Sequence, residues 1–165
     1  PEIDYRCFDY LAAAFPDGMA VVALIYCDFG VLSTTSRRLL LRKIHAALKP
    51  GGHFVFDVFT PHAYAGYRDG ESIERNPAGG FWSPEPCVVI TRKQCYCEDA
   101  TFLRQIAVLT ASTTRFYHLW EHVFSREELR SDLRAAGFTG IDFSGDLTGS
   151  PDTPESPTLG VVAKA

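Results

Sequence analysis

The chain has 165 residues, 46% of them apolar by type and 22% charged, with a formal net charge of -4, which fits one globular domain able to bury a sizeable core. Its longest nearly unbroken apolar run, residues 19–27, falls far short of the roughly 20 apolar residues a membrane helix needs, so no membrane span is expected. With 16 Lys and Arg against 20 Asp and Glu, no bulk positive field draws in a polyanion and no nucleic-acid partner is expected. The five cysteines, Cys7, Cys27, Cys87, Cys95 and Cys97, are odd in number and sit mostly in apolar stretches, which predicts reduced thiols and a cytoplasmic setting.

The chain opens on Pro1 and a strand-like Ile3-Asp4-Tyr5, and its only methionine is Met19, so the expectation is that an N-terminal portion has been removed. Residues 19–27, rich in valine, read as a strand buried on both faces, as in a parallel sheet, although a short helix gives the same run. After the caps Ser33-Thr34-Thr35-Ser36, the residues Leu40, Leu41, Ile44, Ala47 and Leu48 share one helical face, and Pro50-Gly51-Gly52 stops the helix. Residues 53–59 form a second buried strand, so strand, helix and strand make a right-handed crossover.

Residues 61–86 shift to Gly, Pro, Tyr and charge and read as an ordered loop or partly helical lid. Three strands follow at 87–97, 103–110 and 114–122, most simply an antiparallel meander. Ser125 with Glu128 makes a capping box, and Phe124 with Leu129 a hydrophobic staple, opening a helix that ends at Gly137. Residues 138–143 and 159–163 then close the sheet. The expected division is a single domain over 1–165, with a sheet-and-helix core at 1–60 and 123–165 and an inserted lid and antiparallel cap at 61–122.

The chemical clue lies in how the buried strands end. Asp28 follows the first and Asp57 lies in the second, which places two carboxylates near the carboxyl ends of neighbouring parallel strands, where open α/β sheets bind ligands. For each aspartate alone, capping of the adjacent loop is an equal reading. His118 and His122 would meet as metal ligands on a helix, but the alternation around them predicts a strand, which sets them some 13 Å apart, so no metal site is expected. Cys95 and Cys97 lack a second cysteine pair for zinc and read as packed thiols. Phe81, Trp82, Tyr96, Tyr117 and Trp120 form an aromatic set around the cap, either as core or as walls of a pocket for an apolar or cationic substrate.

Several segments together resemble class I S-adenosylmethionine-dependent methyltransferases: Asp9-Tyr10-Leu11, the run from Leu24 through Cys27-Asp28-Phe29-Gly30, Leu48-Lys49-Pro50-Gly51-Gly52 leading into Phe56-Asp57, and Leu133-Arg134-Ala135-Ala136-Gly137-Phe138. The resemblance covers nearly the whole chain. It implies an α/β, Rossmann-like methyltransferase fold: a mostly parallel sheet with helices, an antiparallel closing strand and an inserted antiparallel substrate cap. The family's glycine-rich cofactor loop and ribose-binding carboxylate would precede Pro1, so the N-terminal part of the fold is absent from this sequence.

By the same resemblance, Asp9 and Tyr10 lie at the adenine, Tyr26 and Cys27 beside the methionine part of the cofactor, and Phe59, Trp82 and Trp120 on the acceptor side. Asp28 and Asp57 are the candidates to orient or deprotonate a nitrogen or oxygen nucleophile. The implied cofactor is S-adenosylmethionine and the implied partner a small-molecule methyl acceptor. A homo-oligomer, or an N-terminal fragment docked on the free edge of the first strand, is expected. The alternative is a non-catalytic ligand-binding or assembly module of the same fold. A dinucleotide-dependent dehydrogenase is disfavoured because the G-x-G-x-x-G fingerprint is missing.

Overall fold

Two helices on one face of a small sheet organise the core, in a computed structural model that describes residues 3–165. The chain enters the sheet at β1 (Met19–Leu24), crosses over through α1 (Thr34–Ala47) and returns in β2 (Leu48–Phe59), parallel to β1. Ser33 caps α1 by accepting from the Ser36 amide at 3.2 Å. Helix and strand meet without a loop: Leu48 already has extended backbone and its amide still reaches back to Ile44 O. The tight reversal that follows needs its two glycines. Gly51 has φ +78°, and a Cβ on Gly52 would come within 2.9 Å of Lys49 O and 3.0 Å of Met19 O.

After α2 (Arg126–Ala135), strands β7 (Thr139–Ser144) and β8 (Thr158–Lys164) complete a sheet of order β1-β2-β8-β7, with β8 antiparallel to both its neighbours. Phe54, Phe56 and Val58 of β2, with Leu159, Val161 and Ala163 of β8, are fully buried against Leu40, Leu41 and Ile44 of α1 and Leu129 and Leu133 of α2. Losing one such phenylalanine side chain costs about 3–5 kcal/mol.

The remaining strands form a separate antiparallel sheet, β3 (Gly70–Asn76), β4 (Cys87–Tyr96), β5 (Thr101–Leu109) and β6 (Thr114–His122), paired in chain order. Its connections to the first sheet are close together. The Phe124 amide donates to Phe59 O at 2.9 Å, and the Val123 amide to Ala100 O at 3.0 Å.

Four expectations need correction. Residues 3–5 form no strand, and Ile3 and Tyr5 are exposed. β1 is buried on one face only: both helices pack on the same side, so Val21 is 55% exposed, and residues 25–27 leave the sheet altogether. The stretch at 61–86 contains β3, an edge strand that pairs with β4 yet offers only Ile73 as a large apolar side chain, itself 60% exposed. The Cys95 and Cys97 sulfurs are bonded to each other across a Cα separation of 5.2 Å, so these two are a disulfide rather than packed thiols. A 3₁₀ turn starting at Cys97, outside β4, brings the second sulfur back toward the first. No helix among the described residues is long and apolar enough to cross a membrane.

Candidate functional site

The carboxyl end of β1 leads into two successive non-glycine residues in the left-handed region, Tyr26 at φ 77° and Cys27 at φ 56°. Such conformations cost of order 1 kcal/mol or more each and persist only where the surroundings hold them. Here the holder is Asp57. Its Oδ1 accepts the Cys27 amide at 3.0 Å, and its Oδ2 lies 3.6 Å from the Cys27 thiol. Phe29 clamps the following 3₁₀ turn (Asp28–Val31) from below, fully buried against Phe56 and Phe124 at ring separations of 5.1 and 5.5 Å.

Asp28 is reached from the other side by Tyr10, whose hydroxyl donates to Asp28 Oδ2 at 2.8 Å. Tyr10 is held in turn by Lys43 of α1, whose ammonium donates to the carbonyls of Tyr10, Leu11 and Ala13 at 2.6–2.8 Å. Asp9 closes the same turn by accepting the Leu11 amide at 2.8 Å. The structure therefore brings Tyr10, Cys27, Asp28 and Asp57 together at one sheet edge, with Asp9 adjoining and Tyr26 almost wholly exposed beside them. Burial first, and Asp28 second, push the Tyr10 hydroxyl up to about 12. Burial and then the Asp57 charge do the same to the Cys27 thiol. Both stay protonated at neutral pH.

Over this edge lies the second sheet. β6 packs on the 28–31 turn so closely that a Cβ on Gly30 would overlap the Glu121 carboxylate and approach His122 O to 2.8 Å. Between the sheets is a cavity of about 440 Å³, walled by Tyr64, Tyr67, Phe102, Arg104, His118, Trp120 and Glu121 among others. Phe102 pairs with Glu121 and Arg104 with Leu119 across β5 and β6, which sets these side chains on one face. The Tyr64 ring stacks 4.4 Å from Phe102 and meets Phe59 at 5.9 Å, which links Phe59 to the cavity wall. A neighbouring cavity of about 700 Å³ shares Val31 and Trp120 with the first.

Glu121 is the carboxylate at this edge that its surroundings move to near neutrality. Its Oε1 is fully buried and has no hydrogen-bond partner among the described residues. Burial lifts its carboxyl from 4.5 to about 7, with Arg104 opposing and Asp28 adding to the rise. Sequence reasoning passed over Glu121, Tyr64, Tyr67, Phe102 and Arg104. Strand alternation places Glu121 on the face opposite Trp120, but which face meets the sheet edge depends on a contact with a turn some 90 residues away.

Two candidates lie elsewhere or are otherwise engaged. Trp82 stacks on Tyr117 at 5.4 Å in the cluster of Cys87, Val89, Ile106 and Val108, at the opposite end of the inserted sheet from the cavity. The β3–β4 hairpin carries it there. His122, on a strand, is taken up by Glu128 at 2.7 Å and Thr101 at 3.1 Å.

Structural comparison places this arrangement among known proteins. The chain matches the CcbJ methyltransferase of Streptomyces caelestis at a TM-score of 0.70 with 16% identity, over 96% of this chain and 62% of that one. A methyltransferase of Clostridium acetobutylicum gives 0.69 with 12% identity, over 96% and 63%. The S-adenosylmethionine-bound amino pentose methyltransferase CalS10 of Micromonospora echinaspora gives 0.53 with 19% identity, over 96% and 63%. The fold is that of the class I S-adenosylmethionine-dependent methyltransferases. The chain spans about three-fifths of the length of these structures. No protein-family model and no curated protein matches the sequence.

Proposed function

We propose that this methyltransferase-fold chain works in S-adenosylmethionine-dependent transfer of a methyl group to a nitrogen or oxygen of a small molecule. The observation that carries the reading is the convergence of Asp28, Asp57 and Glu121 at the carboxyl edge of β1 and β2, beneath an aromatic cavity closed by an inserted sheet. Likeness to enzymes such as the amino pentose methyltransferase supports it.

The residues present fit the cofactor. Asp28 adds its negative charge to that of Glu121, which only Arg104 opposes among its charged neighbours, and one Glu121 oxygen is orphaned among the described residues, a field that favours a positively charged sulfonium. When bound, S-adenosylmethionine supplies an electrophilic methyl group.

The residues of this chain would take the following roles. Tyr10 and Asp9 would hold the adenine side of the cofactor, and exposed Tyr26 and the Cys27 turn would lie along its methionine side. Asp57 fixes the Cys27 turn through the amide it accepts. Asp28, steadied by Tyr10, orients the acceptor. Phe59 and Trp120 line the acceptor side, and Trp82 supports the inserted sheet from its far end. Alignment of nucleophile and methyl group is the larger part of such catalysis, since well-oriented reactants gain about 7–11 kcal/mol.

Calorimetric titration of S-adenosylmethionine and S-adenosylhomocysteine tests the proposal. Saturable binding that weakens in Asp28→Asn is the expected result. Absence of binding to either would favour a non-catalytic ligand-binding or assembly module instead.

A further inference from the structure

Of the three carboxylates at the sheet edge, two are engaged. Asp28 accepts from Tyr10, and Asp57 turns both oxygens toward Cys27. Glu121 alone has a buried oxygen with no partner among the described residues, packed against Gly30, and its head lines the cavity together with three aromatic rings, Tyr64, Tyr67 and Phe102. An unpartnered buried carboxylate is unfavourable, and a neutral hydroxyl ligand would compensate it weakly. An ammonium would satisfy it by a charge-assisted hydrogen bond and would also be attracted to the ring faces.

We infer that this cavity takes an acceptor bearing an aliphatic amine, and that Glu121 is the catalytic residue that removes the proton from its ammonium form, an inference that rests on the methyl-transfer reading above. The ammonium gives one proton to the Glu121 carboxylate and recovers its nitrogen lone pair. That pair forms the new nitrogen–carbon bond as the methyl carbon–sulfur bond breaks, and the electrons of the broken bond stay on sulfur as a neutral thioether. The product nitrogen keeps the positive charge that sulfur loses. Glu121 then releases its proton to solvent as product leaves. A carboxyl poised at about 7 by its burial, against Arg104 and with Asp28, exchanges a proton readily in both directions near neutrality.

The groups facing Glu121 from the elements around it are Arg104 of β5, Asp28 and Cys27 of the turn beneath, and Tyr64 of the segment after β2, with His118 on the cavity wall. A pH effect must therefore be assigned by substitution.

Benzylamine and benzyl alcohol share a ring and a size and differ in charge. Titrated calorimetrically into the protein, benzylamine is expected to bind about tenfold more tightly or better. Between about pH 6 and about pH 8, a group titrating near 7 goes from roughly a tenth to nine-tenths ionised, so benzylamine affinity should rise about tenfold while that of benzyl alcohol stays level. Glu121→Gln, isosteric and uncharged, should abolish both the preference and the pH dependence, and Glu121→Asp should restore part of each.

Equal binding of the two probes, no binding of either, or a pH dependence that survives in Glu121→Gln would overturn the inference. S-adenosylmethionine titrated into the same samples separates the two readings. A protein that binds it but does not discriminate the probes loses only the role of Glu121. One that discriminates the probes but takes no S-adenosylmethionine loses methyl transfer.

Discussion

Glu121 links stability to pH in a direction opposite to that of most carboxylates. Its carboxyl sits at about 7 in the fold against an ordinary 4.5, so between those values the folded chain still binds a proton that the unfolded chain has lost. Stability should therefore fall as pH rises from about 4.5 to about 7, and level off above. Melting temperatures of wild type and Glu121→Gln, compared at several pH values in that window, check this: the variant should lack the decline, and a difference that does not depend on pH would refute it. Asp57 is testable by the same route. Asp57→Asn keeps an oxygen for the Cys27 amide, whereas Asp57→Ala leaves that amide without its acceptor, so alanine should destabilise by about 1–3 kcal/mol and asparagine by less. Gly30→Ala should cost a similar about 1–3 kcal/mol as overpacking. The Cβ would meet both the Glu121 head and the fixed His122 carbonyl, so a second change, Glu121→Ala, should recover only part of the loss, as read in urea unfolding.

Among the elements, those specified by neighbours in sequence were the legible ones. The start of α2 was readable because Ser125 and Glu128 are three residues apart, and Ser125 Oγ does accept the Glu128 amide at 3.1 Å. Ser125→Ala should cost about 1 kcal/mol in thermal or urea unfolding. The reciprocal half of that capping box is not made, because the Glu128 carboxylate turns to His122 instead, a contact across a strand end that no local pattern announces. The crossover from β1 through α1 to β2 was readable from its apolar period, and so was the meander of β4, β5 and β6. β3 was not, since an exposed edge strand with the sequence Gly-Glu-Ser-Ile-Glu-Arg-Asn carries no apolar face and is held to β4 by backbone pairing and one exposed ion pair, Glu71 with Arg92. The site was half legible for the same reason. Asp28 and Asp57 follow from where parallel strands end, while Glu121 depends on how a separate sheet is set down on the first.

For the molecule as a whole, β1 pairs with β2 on one side and with no strand among the described residues on the other, and Val21 beside that open ladder is exposed. An apolar edge strand of this kind templates pairing with another chain. Self-association through β1 is therefore expected in sedimentation velocity at micromolar concentration, and Val21→Lys should shift the protein toward monomer. A wild-type monomer throughout that range would contradict the expectation.

The closeness of the two connections to the inserted sheet has a consequence for how such a protein changes over time. Because Phe59 and Phe124 are joined by a backbone hydrogen bond of 2.9 Å, the segment between them leaves the end of β2 and rejoins the chain just before α2 at nearly one point. Loops whose ends already meet can be lengthened, shortened or exchanged at a closure cost that grows only with the logarithm of their length. The roof over Asp28 and Asp57 is thus a cassette: a new acceptor pocket can be grafted on, or an old one traded, as long as the strand seated on Gly30 keeps its fit to the turn below.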